Sequence, residues 1–216
     1  MSTTTSALNL RPSPGTSQPP LAVIPKGSTV VTGRNQSGWR RAFYPAKGLA
    51  GWVSNQYLTN VQTVPFIDAS FPHLGKWYHY GANGPKNFDC SGFCMYVQRD
   101  LNYPKTEADR TANAMMHQFR DGNWPGRKVT LEESQPGDLA FFGYSIGKGD
   151  HHASHVVFML DKNWCIGANG GSASTNTDAE AKARNAKVRI DASNYRETSA
   201  YPHKFDRLEI WRPRYA

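Results

Sequence analysis

Cys90 stands in the stretch NFDCSGFCMYVQRDL, Asn87 to Leu101, preceded by Asp89 and followed by the small residues Ser91 and Gly92. Aspartate is a preferred cap of helix N-termini, so the stretch predicts a helix over Asp89 to Leu101 with Cys90 in its first turn. Free N–H groups and the positive end of the helix dipole favour a thiolate there. They can lower a thiol pKa from about 8.5 by one to several units. The small neighbours would let a substrate backbone reach the sulfur. Cys90, Cys94, Val97 and Leu101 share one helical stripe, which makes Cys94 core and Cys90 the head of the buried face. By composition alone such a cysteine is a small buried hydrophobe. The cap and the helix start are what argue for a nucleophile.

A nucleophilic thiol needs a base and an orienting group, distant in sequence and adjacent in space. Among the seven histidines, His155 is the candidate, because it opens the apolar run HVVFML and so would hold its imidazole at the rim of a sheet. His151 and His152 fall in the polar run GKGDHHAS, read as a loop. His73, His117 and His203 are read as solvated surface residues. The run DHHASH also offers Asp150, His151, His152 and His155 as metal ligands. It lacks the i, i+4 helical pair of zinc hydrolases and has no accompanying cysteine pair, so no metal and no cofactor is expected.

The elements that must position these groups are legible as a change of texture. Up to about residue 62 the chain has short β-rich runs, STVVTGR, GWRRAFY and AGWVSNQYL, between Gly, Pro and Ser clusters, which predicts a small antiparallel barrel. Trp39 and Trp52 each follow a turn glycine and are expected to close an aromatic core. Asn60 to Ser70 reads as a connection. Residues 63–216 then mix classes. A helix over Thr106 to Phe119, opened by Thr106 with Asp109 three residues later, follows the first one. After it come the strand-like runs LAFFGY, SHVVFML, NWCIGA, KVRID and RLEIWR. Helices first and strands afterwards predict a segregated α+β architecture. The stretch GGSASTNTDAEAKARNAK reads as a surface loop with a short helix. Trp124 is expected to pack in the core.

The first sixty residues resemble a bacterial SH3-like domain through ALNLRPSPG, a PKG turn, SGWRRAFY and GLAGWVSNQYL. The resemblance implies binding of peptidoglycan, or guidance of substrate to an attached enzyme. From Gly75 onward, KWYHYGANGPKNFDCSGF, LEESQPGDLAFF and SHVVFML, in that order, resemble the NlpC superfamily of papain-like cysteine peptidases, which cut peptidoglycan stem peptides. That resemblance implies helices packed on an antiparallel sheet. It makes Cys90 the nucleophile, His155 the general base and Tyr78 the residue near the sulfur that orients the site or assists the oxyanion. Asp89 and Ser91 match positions that receive the free amino end of the stem peptide. Apart from the resemblance, Trp77 and Tyr80 stand in the segment just before Cys90, where they line a substrate groove or pack, and that placement favours the groove. The bond that the resemblance implies joins D-glutamate, through its γ-carboxyl, to a diamino acid.

One position departs from the pattern. Twelve residues after His155, where the family carries its third polar residue in a strand ending I-His-Ala, this chain reads CIGANGG and places Gly167. Asn169, two residues on and on the same strand face, is the substitute, with backbone or water as the alternative.

Rival readings are an amidase cutting between glycan and first alanine, and a catalytically dead wall-binding protein. The 25 Lys+Arg against 17 Asp+Glu, a net +8, favour an anionic partner such as cell-wall polymer. The basic residues are scattered and carry no nucleic-acid signature, so nucleic acid is not expected. No apolar run approaches the roughly 18 residues of a membrane span. The opening MSTTTSALNLRPSPG does not have the pattern of a secretory signal. Location at a cell wall is therefore expected from function, by non-classical export, phage lysis or effector delivery. Three cysteines leave at least one thiol free, and a Cys90–Cys94 disulfide would join successive helical turns with poorly directed Cβ atoms.

Overall fold

The structure, a computed structural model, describes residues 1–103, 110–147, 150–194 and 205–214. Its internal contacts divide the chain into two units, Met1–Pro72 and His73–Ala216.

The first unit is built from β1 (Ser2–Thr4), β2 (Leu8–Leu10), β3 (Ala22–Ile24), β4 (Thr29–Gln36), β5 (Trp39–Tyr44), β6 (Leu49–Ser54) and β7 (Leu58–Thr59), followed by α1 (Pro65–Ser70). One antiparallel sheet runs in the order β6-β5-β4-β1-β7, and β2 pairs with β3. Ser37 and Gly38, at φ of 50° and 86°, make the left-handed turn that joins β4 to β5. Arg11 exchanges two backbone hydrogen bonds with Trp52, which ties the end of β2 to β6. The core is aliphatic, with Leu8, Leu10, Ile24, Val30, Ala42 and Val53 joined by Tyr44. The expected tryptophan core does not form. Both Trp39 and Trp52 are half-exposed, and Trp52 lies under the Arg41 guanidinium, 4.5 Å from its ring centre. Nor is Asn60 to Ser70 a bare connection. Pro65 starts α1, whose buried Phe66 and Ile67 belong to a helix packed on β4 and β5, and this second cover buries β4 from Val30 to Gly33 on both faces.

The second unit holds α2 (Cys90–Asp100), α3 (Ala112–Arg120), β8 (Gly126–Val129), β9 (Leu139–Gly147), β10 (Asp150–Met159), β11 (Trp164–Asn169), α4 (Asp178–Ala183), β12 (Lys187–Ala192) and β13 (Arg207–Pro213). Its antiparallel sheet runs β12-β11-β10-β9-β13-β8, with α2 packed on β10 and β11 and α3 on β10 and β9. This is the segregated α+β class. α3 begins at Ala112, capped by the Thr111 hydroxyl, and the predicted start at Thr106 and Asp109 lies outside the described residues.

α2 is buried well beyond the predicted stripe, because Phe93 and Met95 are sealed as fully as Cys94 and Val97. The sheet covers one side, where Phe93 meets Phe158 edge-on at 6.0 Å. The segment before the helix covers another, where Phe88 meets Phe93 at 5.6 Å and His73 meets Phe88 at 5.1 Å. Each such ring contributes about 1.5–3 kcal/mol by burial. The helix is thereby packed from two sides.

Candidate active site

Cys90 is the first residue of α2 and stays half-exposed, while Cys94 and Cys165 are buried, and all three are free thiols. One helical turn separates the two α2 cysteines chemically. Burial, with the Cys90 thiol and the Asp89 carboxylate adding to it, pushes the Cys94 thiol well above its ordinary pKa. Asp89 caps the helix by accepting from Gly92 N at 2.6 Å, and its two oxygens also receive Ser91 Oγ at 3.0 Å and Gly81 N at 2.9 Å. Gly92 does not open a path to the sulfur as the sequence implies. It is buried, and a Cβ there would stand 2.1 Å from the Ala82 carbonyl oxygen, so the glycine admits the 81–84 turn against the helix start.

Cys90 opens into a cleft of about 490 Å³ that also meets Tyr78, Tyr80, Asp89, Ser91, Arg110 and Ser154. Tyr78 is buried, and its ring lies flat on Gly171, where a Cβ would stand 2.1 Å from the ring. Tyr80 is exposed at the cleft, and Trp77 is half-buried with the Lys187 ammonium 6.0 Å from its ring. Trp124 is core, edge-on to Phe119 at 5.2 Å.

The histidines differ from their expected settings. β10 spans Asp150–Met159, so His155 lies within a strand rather than at its opening, and it is buried, not at a rim. His151 and His152 stand on the same strand, not in a loop. A one-residue irregularity between Ala153 and His155 interrupts the β9–β10 register. Ser154 is the extra residue, and such a bulge changes the face to which the following side chains point. Asn113, from the first turn of α3, accepts from Ala153 N at 3.0 Å and pins the strand there.

The three histidines therefore diverge. His155 Nε2 is 2.8 Å from Asn169 Oδ1, His151 Nδ1 is 3.0 Å from Arg120 Nη2, and exposed His152 stacks on Tyr144. Among the described residues no three of His, Cys, Asp and Glu converge as a metal set. His73, read as a solvated surface residue, is buried instead. Burial and then the Lys76 ammonium lower its pKa to about 4. His117 is half-buried, and His203 lies outside the described residues.

Strand register accounts for the contact with Asn169. Phe158 pairs with Ile166 and Met159 with Cys165, and continuing the ladder sets His155 directly across from Asn169 and Val157 across from Gly167. A side chain at 167 would meet Val157 Cγ1 at 2.6 Å. Sequence reasoning missed the next partner. Asn169 Nδ2 donates to Asp191 Oδ2 at 2.8 Å, and that same oxygen receives Arg189 Nε at 2.8 Å. The R-x-D spacing in KVRID put both side chains on one face of β12, but nothing local pointed them at Asn169.

With this geometry in view, comparison with known proteins is direct. The profile of the NlpC/P60 family matches residues 75–192, more than half of the chain, and the chain belongs to that family. It is 39% identical over 98 residues to a protein named probable endopeptidase p60 from Listeria seeligeri, a match covering 44% of this chain and 16% of that protein. It is 38% identical over 111 residues to murein DD-endopeptidase MepH from Escherichia coli K12, covering 50% of this chain and 38% of the other. The matches thus span less than half the length of these curated relatives. A solved structure, NlpC2 from Trichomonas vaginalis, superposes with a TM-score of 0.46 at 20% identity over 100% of this chain and 72% of the other.

Proposed function

We propose that the second unit is a cysteine peptidase that hydrolyses peptidoglycan stem peptides, with Cys90 as nucleophile and His155 as general base. The observation that carries this reading is the 2.8 Å contact between His155 Nε2 and Asn169 Oδ1, in a family member whose half-exposed Cys90 heads a helix and opens into a cleft. An imidazole held at Nε2 offers Nδ1 as the acceptor of the thiol proton. The thiolate attacks the amide carbonyl, the C–N bond breaks as His155 returns the proton to the leaving amine, and water then hydrolyses the thioester. Backbone N–H groups at the start of α2 are the oxyanion donors. Tyr78 lines the reacting end of the cleft. Asp89 and Ser91 accept from the ammonium of the stem peptide, with Trp77 and Tyr80 beside it. The bond is the γ-D-glutamyl to diamino acid linkage. The names of these relatives, endopeptidases in each case, support the reaction class.

The same reading makes the first unit an SH3-like module for the wall, a role supported by its antiparallel β architecture and by the chain's net charge of +8. It places the protein's action at the cell wall.

Digestion of defined muropeptides, with the products weighed, tests the proposal. Wild-type protein is expected to release a diamino acid-bearing fragment, to survive chelator and to be stopped by iodoacetamide. Cys90→Ala is expected to release nothing. Product masses that place the cut between glycan and alanine would instead make it an amidase. Undiminished turnover by Cys90→Ala would remove the nucleophile.

A further inference from the structure

We propose that Asp191, held by Arg189, is a positioning residue that sets the direction of the hydrogen bond to His155 and thereby the tautomer of the base. The inference rests on the cysteine-peptidase reading and extends it to a residue on β12 outside the Cys90, His155 and Asn169 set.

The argument is one of donor and acceptor polarity. An asparagine amide has an oxygen end and a nitrogen end of nearly the same shape, and its partners decide which way it points. Asn169 is wholly buried, so both ends must be matched. A guanidinium can only donate, and an ionised carboxylate can only accept. Arg189 Nε therefore donates to Asp191 Oδ2, and the same oxygen accepts from Asn169 at 2.8 Å, which fixes the amide nitrogen on the Asp191 side. The reverse setting would bring two acceptor oxygens face to face in a buried place. Asn169 Oδ1 consequently faces His155 Nε2 at 2.8 Å and can only accept. Nε2 carries the proton, and Nδ1 keeps the lone pair that the proposed reaction requires.

The glycine at 167 belongs to this device. On β11 it stands between Cys165 and Asn169 on one face, and the ladder sets Cys165 opposite Asp191, Gly167 opposite Arg189 and Asn169 opposite Lys187. Asn169 and Asp191 are therefore not direct cross-strand partners. Their side chains meet across the position where Gly167 contributes no side chain, and a Cβ there would come within 3.2 Å of Asn169 Oδ1.

Histidine-selective ¹⁵N NMR of the full chain, without substrate, reads the tautomer directly. In the neutral imidazole of wild-type His155 the proton is expected on Nε2. Asp191→Ala, which frees the amide to turn, is expected to give a mixture of tautomers and a kcat lowered about tenfold with KM little changed. Asp191→Asn retains an oxygen, and Arg189, as a pure donor, keeps that oxygen toward Asn169. This variant is expected to restore both the Nε2–H signature and most of the kcat. An Nδ1–H signal in the wild type would overturn the proposal without any variant. So would an unchanged tautomer and kcat in Asp191→Ala, or an Asp191→Asn as impaired as the alanine. If Cys90→Ala stayed active, the peptidase reading would fall while the tautomer result stood independently.

Discussion

β10 carries two histidines of almost equal burial, His151 near its start at 5% and His155 in its middle at 6% exposure, and they are set apart by the groups they meet. His155 faces a neutral amide that is itself held by a carboxylate. His151 accepts from Arg120, which also gives two hydrogen bonds to Glu209, where Lys128 and Trp211 converge as well. Burial alone would raise the Glu209 carboxyl, but these donors outweigh it and hold the group at about 2. His155 is the proposed base, whereas His151 belongs to an ion-paired clamp between α3, β8 and β13. Position on a strand does not distinguish a base from a brace. The polarity of the neighbours does.

The comparison breaks most sharply at the imidazoles. His155→Ala is expected to lower turnover about a thousandfold with the fold intact, whereas His151→Ala leaves kcat/KM within about threefold. Steady-state kinetics on a defined muropeptide checks this, and the opposite ranking would exchange their roles. Next, Asn169→Ala is expected to lower kcat about a hundredfold with KM little changed, because the ring loses its orienting acceptor. Circular dichroism melts separate that loss from unfolding.

At the clamp end the expected change is in stability. Glu209→Gln leaves the Arg120 and Lys128 charges without their counter-charge and is expected to cost about 3 kcal/mol at pH 7. The folded carboxyl titrates below the unfolded one, so its contribution is complete above the ordinary value of 4.5 and is lost as pH falls toward about 2. Denaturant titrations should therefore find wild type and variant converging over that interval.

His73 supplies a third buried setting, among Phe88, Phe93 and Tyr96 with Lys76 at 3.0 Å. Its folded pKa is depressed, so it stabilises above the unfolded value of 6.5 and progressively less as pH falls toward about 4. At pH 5 the deficit is about 2 kcal/mol. His73→Phe, which suits the surrounding rings, is expected to flatten the stability curve between those values. An unflattened curve would place the titration elsewhere.

Legibility followed the range of the interactions. The start of α2 was readable because Asp89, Cys90 and Gly92 act within one helical turn. The strands of the second unit were readable from their apolar, β-branched runs. α1 was not, since Pro65 to Ser70 is short and has no caps beyond the proline, and only β4 and β5 make it a helix. Gly167 drew attention as a gap in a motif, and its reason lies on another strand, in Val157. His73 read as a surface residue because its cage is assembled from residues fifteen and more positions away.

By itself the sequence determined a capped helix headed by a cysteine, an antiparallel sheet to carry a histidine, and membership in a class of folds, because capping, periodicity and turn chemistry are local. Only the tertiary structure decided that His151 meets a guanidinium, that His73 is caged by rings, and that Asp191 and Arg189 stand behind Asn169. Those choices depend on strand register and on the two irregularities of the β9–β10 ladder, beside His151 and at Ser154, and register is set by packing between segments far apart in the chain.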